Sequence, residues 1–486
     1  MNSSEDARRA GRGLVSIAGA KVFFIVNGYA VQLLLPRIFG EAKEFGLYSA
    51  TMSGVAILTN VLIVATIQSV SKFVSEDEAR AAVTLRQGLR IQALVGGTLA
   101  LGLFLFAPVI AHLLLDAQLT RLVRVASVVV FAYALYAAVV GSLNGKHLFG
   151  QQARLDVTFS TLRTVGILGG AALGLGAIGA FGTRGTHGEK IRRRRWLGFM
   201  APIWTYQICL NGILMIDLQV LKRSATELAL ASAATSQAAV DLANQYVGYY
   251  RAAQTFAFVP YQLIISLTFV VFPMISKATS IGNAEGTRST IQHAMRLSLL
   301  LLLVVAAPTS GAAHGVMQLA YPAEYLAGAP ALSILVFGVA AFSLFAVAAT
   351  AISGAGKPTA AAIIAGVSLL VVVIANRVLV MRAGLGEQML EAAATGTAIG
   401  MVVALVLSAS VIYKSFGVFI PVATWIRAAL AAAAGYAAAS ALPHDSPVMA
   451  LVALAVGFTS SVLVLIVTRE LTHDDWHALR RVVRRD

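Results

Sequence analysis

The chain has 486 residues, 58% of them hydrophobic and only 12% charged, with a mean hydropathy of +0.80. A soluble domain carries about 25% charge, so this composition excludes a soluble globular protein and indicates an integral membrane protein with many spans. The net charge of +15 would suggest a nucleic-acid binder in a soluble chain; here it is read as cationic loops flanking spans on the cytoplasmic side, and no nucleic-acid partner is expected.

Apolar runs of about 20 residues recur and the alternating pattern of an outer-membrane barrel is missing, so the spans are helical. The first residues, MNSSEDARRAGR, carry acids as well as Arg, and the apolar segment after them contains Lys21 and Asn27. It reads as a first span rather than a cleaved signal. Spans are predicted at 14–35, 47–70, 91–115, 122–140 and 155–173. After a basic interruption they resume at 197–220, 240–275 (bent at Pro260), 294–311, 332–353, 360–379, 392–412, 428–442 and 449–467.

The interruption, GTRGTHGEKIRRRRW from Gly182 to Trp196, cannot lie in hydrocarbon, because an Arg at mid-bilayer costs at least about 2.5 kcal/mol. It reads as a linker between two halves. Most of the 37 Lys and Arg fall in one alternate set of loops, Arg192–Arg195 and the 469–486 tail among them. The other set holds only Arg37, Lys43, Arg121, Arg124, Lys222, Arg223, Arg377 and Arg382. This bias predicts that both termini are cytoplasmic, with the basic tail on lipid headgroups. The orientation requires an even number of crossings before Arg192, yet only five spans are clear. Three readings of 155–182 stay open: a short re-entrant element, two strained crossings, or an absent helix. Gly166, Gly169, Gly170, Gly174, Gly176 and Gly179 would allow close backbone packing there.

The halves resemble each other. Phe45-Gly46-Leu47-Tyr48 opens the second span, and Val247-Gly248-Tyr249-Tyr250 stands near the start of the second span after the linker. Ser71-Lys72 matches Ser276-Lys277, and Gly145-Lys146 matches Gly356-Lys357. Three matches in one order indicate duplication. Two similar lobes about a central cavity are a transporter architecture, with the substrate site near mid-membrane.

Three cations fall inside spans. Lys21 lies nine residues past Arg12 and Arg163 nine past Arg154, which at 1.5 Å per residue sets each near the bilayer centre. Lys21 either snorkels or lines a cavity. Arg163, among Ser160, Thr161 and Thr164, and Arg251, between Tyr249-Tyr250 and Gln254, are read as cavity-lining. Asp217, inside an apolar stretch, is a candidate for pairing with a cation or for ion coupling. Asn27, Asn60, Gln68, Gln207 and Asn211 line the cavity or hydrogen-bond between helices.

No bond-making chemistry is visible, and the chain does not read as an enzyme. There is no Walker motif. His473 and His477 share a helical spacing but lie in the charged tail with no further His or Cys nearby, so no metal and no cofactor is expected. Cys209 is the single cysteine and can form no intrachain disulfide. The longest predicted external loops, 223–240 and 311–332, hold one Glu each and no Asp, which argues against a membrane glycosyltransferase or polymerase. A cationic cavity suits an anionic, polar cargo such as a lipid pyrophosphate-linked sugar.

Gly19-Ala20-Lys21 with Phe23-Phe24, Leu35-Pro36-Arg37-Ile38-Phe39-Gly40, Phe45-Gly46-Leu47-Tyr48 and Val70-Ser71-Lys72-Phe73 resemble the N-terminal part of polysaccharide-biosynthesis exporters. These are the Wzx-type O-antigen flippases of the MOP superfamily, which also holds the MATE drug exporters. Tyr249–Ala253, Pro273 and Gly354–Lys357 fit the second lobe. The resemblance implies an all-α, V-shaped fold of two pseudo-symmetric lobes plus two C-terminal helices, thirteen or fourteen spans in all. The division would be residues 1–182, with the sixth helix truncated or absent; a basic cytoplasmic linker, 183–196; a second lobe, 197–415; and two further helices with a basic tail, 416–486. It also implies a bacterial inner-membrane protein that moves an undecaprenyl-pyrophosphate-linked oligosaccharide to the outer leaflet for surface polysaccharide such as lipopolysaccharide O-antigen. Membrane lipids, a polysaccharide polymerase and glycosyltransferases are the implied partners. Substrate-binding positions would be Lys21, Asn27, Arg163, Tyr249, Tyr250 and Arg251, with Asp217 for ion coupling. The competing expectation is a MATE-like, cation-coupled antiporter of drugs or metabolites.

Overall fold

The computed structural model describes residues 23–76, 81–146, 148–170, 193–232, 235–264, 284–443 and 446–470. Among these, 91% are helical and none is in a strand. Nine helices among the described residues are long and apolar enough to cross a membrane. Many large apolar side chains are exposed, among them Leu101, Leu105 and Phe106, and Ile363, Leu370 and Ile374. Such a surface suits lipid rather than water.

By contacts the chain divides into two compact units, residues 1–251 and 252–486. The first holds α1 (Phe23–Phe39), α2 (Ala42–Glu76), α3 (Ala81–Leu113), α4 (Gln118–Gly145), α5 (Phe149–Gly170), α6 (Arg193–Ala231) and most of α7 (Ser236–Ala257). Helix α2 packs on α4 and α6, and α3 and α5 pack on α4. Ala65, Val70, Phe73 and Val74 of α2 form one buried cluster with Ile91 and Ala138.

The second unit holds α8 (Ala284–Gly311), α9 (Ala313–Ala320), a 3-10 turn (Ala323–Gly328), α10 (Ala329–Gly354), α11 (Pro358–Ala383), α12 (Gln388–Phe416), α13 (Val422–Ser440) and α14 (Pro447–Val467). The α10 helix packs on α8 and α12, and α11 on α12. The α13–α14 pair packs against α8. A polar clamp closes this last group. Glu470, just past α14, accepts hydrogen bonds from Arg296 Nε (2.8 Å), Thr424 Oγ1 (2.8 Å) and Arg427 Nη1 (2.9 Å). Burial pushes its carboxyl up, but these donors outweigh that and hold it below the usual carboxylate range.

Within the described residues the predicted spans coincide with helices, and the helices run longer. Hydropathy falls where polar flanks begin, whereas backbone hydrogen bonding continues through them. The 223–240 segment is therefore no long loop: α6 continues to Ala231 through helix-forming Ala, Leu and Glu. The chain re-enters a helix at Ser236, where Thr235 Oγ1 accepts from the Ala238 N–H. The 311–332 segment is likewise occupied by α9 and the 3-10 turn. The basic run is helical from Arg193 onward rather than wholly a linker. The helical run after Ser236 breaks at Phe258, two residues before Pro260, and resumes over 259–264. Proline has no N–H to give the preceding turn. Gly166 faces open space, so it makes no close packing contact. Lys21, the glycines 171–182 with their doubtful sixth crossing, and His473 and His477 lie outside the described residues.

Candidate functional site

Helices α5, α6 and α7 are each 22 residues or longer, yet none is among the nine apolar enough to count as spans. They are also the helices that carry Arg163, Asp217 and Arg251. A helix that faces only lipid must be apolar throughout, whereas one that lines a polar path need not be.

Arg163 is half-buried on α5, its guanidinium 5.7 Å from the centroid of the Phe24 ring, a cation–π geometry. Arg251 is half-buried on α7 and its Nη1 lies 3.8 Å from the Met215 sulfur. Arg163 on α5 and Arg251 on α7 are thus both helical cations that their neighbours shield only in part.

The remaining predicted positions separate. Tyr250 is fully buried and donates to Asp217 Oδ2 at 2.9 Å, while Asp217 Oδ1 accepts from the Leu218 N–H at 2.9 Å. Tyr249, on the next helical step, accepts from Gln245 Nε2 at 2.7 Å. Asn27 on α1 donates to the Phe23 carbonyl of its own helix at 3.0 Å. Asn60 and Asn211 join α2 to α6, Nδ2 to Oδ1, at 2.8 Å.

Sequence reasoning missed two groups. Asp156 of α5, nearly inaccessible, accepts from the Tyr136 hydroxyl of α4 at 2.5 Å. Tyr136 stacks on Phe159, with centroids 4.1 Å apart, and Tyr133 meets Phe159 edge-on. Residues 156, 159 and 163 recur at i, i+3 and i+7, so one face of α5 carries a carboxylate, an aromatic ring and a guanidinium. That spacing is the signal that could have revealed it.

The second group stands where α2 meets α6 and α7. Lys222, expected in an external loop, is instead a helical residue of α6 with no exposed surface. Its Nζ lies 2.5 Å from Asp116 Oδ2 and 2.5 Å from Asn244 Oδ1. Asp116 Oδ1 also accepts from the Gln118 N–H at 2.9 Å. Arg223 beside it donates to the Leu113 carbonyl at 3.0 Å. One turn away, Gln219 Nε2 donates to the Ala50 carbonyl and Ser53 Oγ, both at 2.6 Å.

At the same place α2 crosses α7 without side chains between them. A Cβ on Gly46 would lie 1.6 Å from the Asn244 carbonyl oxygen, and one on Gly248 would lie 2.4 Å from that of Ala42. The contact is reciprocal. Ala42 precedes Gly46 by four residues, and Asn244 precedes Gly248 by four. The two glycines are the matched positions of the repeat.

No protein-family model and no curated protein sequence matches the chain. Solved structures do. The inward closed conformation of the lipid II flippase MurJ superposes with a TM-score of 0.73 at 15% identity, covering 94% of this chain and 99% of that one. The inward-facing conformation of a multidrug-resistance MATE transporter of the MOP superfamily gives 0.61 at 14% identity, covering 79% and 94%. A MOP superfamily transporter from Pyrococcus furiosus, described as having a binding pocket of reverse polarity, gives 0.56 at 14% identity, covering 83% and 96%. The chain has the MOP transporter fold. That likeness shows the fold, and what the chain does is argued from its own residues.

Proposed function

We propose that the chain flips a lipid carrying a pyrophosphate-linked oligosaccharide from the inner to the outer leaflet of the bacterial cytoplasmic membrane. The observation that carries this reading is that Arg163 and Arg251 stand half-buried on α5 and α7, two helices of span length that are too polar to count as plain spans. Each guanidinium offers a planar fork to a phosphate, and a hydrated path removes most of the cost of holding it at membrane depth. Lys21, Asn27 and Tyr249 complete the proposed substrate set, and Tyr250, fully buried against Asp217, is left out of it. Sugar hydroxyls suit the Tyr249 hydroxyl and the amide, and the lipid stays in the bilayer. Both termini are cytoplasmic in this reading, and polymerase and glycosyltransferases act on either side of the transported lipid.

The test is complementation of a flippase-deficient host, read as lipid-linked oligosaccharide accumulating on the inner leaflet. Arg163→Gln and Arg251→Gln should each block export at normal protein level. The Lys variants should keep part of it, since charge remains while the fork is lost. Export equal to the parent by both Gln variants would rule out the cationic site.

One observation favours a second reading, cation-coupled antiport of a drug or metabolite. Asp217 is a fully buried carboxylate on a helix too polar for a plain span, held by Tyr250. In that case the host should gain drug resistance that needs Asp217, and glycan export should not respond to the chain at all.

A further inference from the structure

We propose that Lys222, Asp116 and Asn244 form a latch that keeps one end of the transport path closed and must part for that end to open. The inference rests on the chain being a transporter but not on what it carries.

The three groups come from separate parts of unit 1: the α3–α4 connection, the end of α6 and the first turns of α7. All are at most 2% exposed. A buried ion pair is a poor choice for stability alone, because apolar residues of similar size are often as stabilising. It does make a sharp two-state contact. The same charges attract strongly in a dry site and weakly once water enters, so opening that end cancels the attraction that held it shut.

Three further observations support the latch. Asn244 serves twice: its side chain accepts from Lys222, and its backbone carbonyl fills the space that a Cβ on Gly46 would need. Parting α2 from α7 therefore disturbs the ion pair directly. Leu115, immediately before Asp116, has φ +56°, a left-handed conformation costly for a bulky non-glycine residue. That backbone turns the chain so that the Asp116 N–H reaches the Ala111 carbonyl, at 3.0 Å, and the carboxylate faces Lys222. Lastly, solved transporters of this fold are recorded both inward-facing and outward-facing, so contacts at each end are made and broken in turn.

The test reads accessibility, not export. In a background with Cys209 replaced by Ser, a reporter is placed at Ser49→Cys, one turn along α2 from Gly46, and a control at Ser142→Cys, near the far end of α4. Both positions are buried. The full chain in permeabilised cells is labelled with a maleimide that then has access to both membrane faces. In the otherwise unaltered chain both cysteines should label slowly. Lys222→Met should raise labelling of the reporter about tenfold, the equivalent of about 1.4 kcal/mol, and leave the control unchanged. The swap Lys222→Asp with Asp116→Lys should return the reporter toward its protected rate. A reporter still protected in Lys222→Met, a control that rises with it, or a swap that restores nothing would each overturn the latch. None of these outcomes depends on Arg163 or Arg251, so the latch and the cargo reading fail separately.

Discussion

Gly46 and Gly248 pass each other with no side chain between them, and each would carry its Cβ into the other helix's backbone. In an exposed helix interior, Gly→Ala stabilises by about 1 kcal/mol. Here the sign should reverse. Gly46→Ala and Gly248→Ala should each destabilise the protein by about 1–3 kcal/mol through overpacking. Gly102→Ala in α3, with nothing within 4 Å of its Cβ, should be neutral or stabilising. Thermal unfolding of detergent-solubilised protein followed by size-exclusion chromatography distinguishes the three. Equal midpoints would mean the crossing is looser than described.

Tyr250 and Asp217 separate a structural role from a coupling one. Removing the hydroxyl in Tyr250→Phe leaves a buried carboxylate oxygen without that donor and should cost about 1–3 kcal/mol. If Asp217 couples transport to an ion, Asp217→Asn should abolish dependence of transport on the proton or sodium gradient at normal protein level. If transport by Asp217→Asn still follows the gradient, the carboxylate is structural.

Glu470 gives a pH dependence outside the spans. Its carboxyl is held below the reference value of 4.5 by Arg296, Arg427 and Thr424, against the upward pull of burial. A group lowered on folding adds stability that is complete above its unfolded value and disappears as pH falls through the folded one. Glu470→Gln should therefore destabilise the protein at pH 7 by about 1.5–3 kcal/mol, the range for hydrogen bonds to a charged group, and lower its unfolding midpoint. The difference from the parent should hold down to about pH 4.5 and vanish below it. A difference that grows on acidification would contradict the clamp.

Orientation follows from loop charge and can be checked directly. Cysteines at Gly188 and Ala478, with Cys209 replaced, should be shielded from an impermeant thiol reagent in intact cells. Labelling at both would reverse the orientation, and labelling at Gly188 alone would mean an odd number of crossings before it.

Composition and hydropathy alone determined that this is a helical membrane protein, because a bilayer imposes length and apolarity on every span. The matched Phe45-Gly46 and Val247-Gly248 stretches carried the repeat, and lone charges in apolar runs pointed to Arg163, Asp217 and Arg251, since charge at that depth is costly wherever it falls. Only the tertiary structure set Arg163 against Phe24 of α1 and Arg251 against Met215 of α6, because no helical spacing relates those elements. Lys222 was legible only as a cation near a span end. Its burial depends on Asp116 and Asn244 arriving from two other elements, and on Leu115 taking a backbone conformation that its side chain disfavours. Periodicity reports which face of a helix is apolar; which charges meet is decided by how the helices cross.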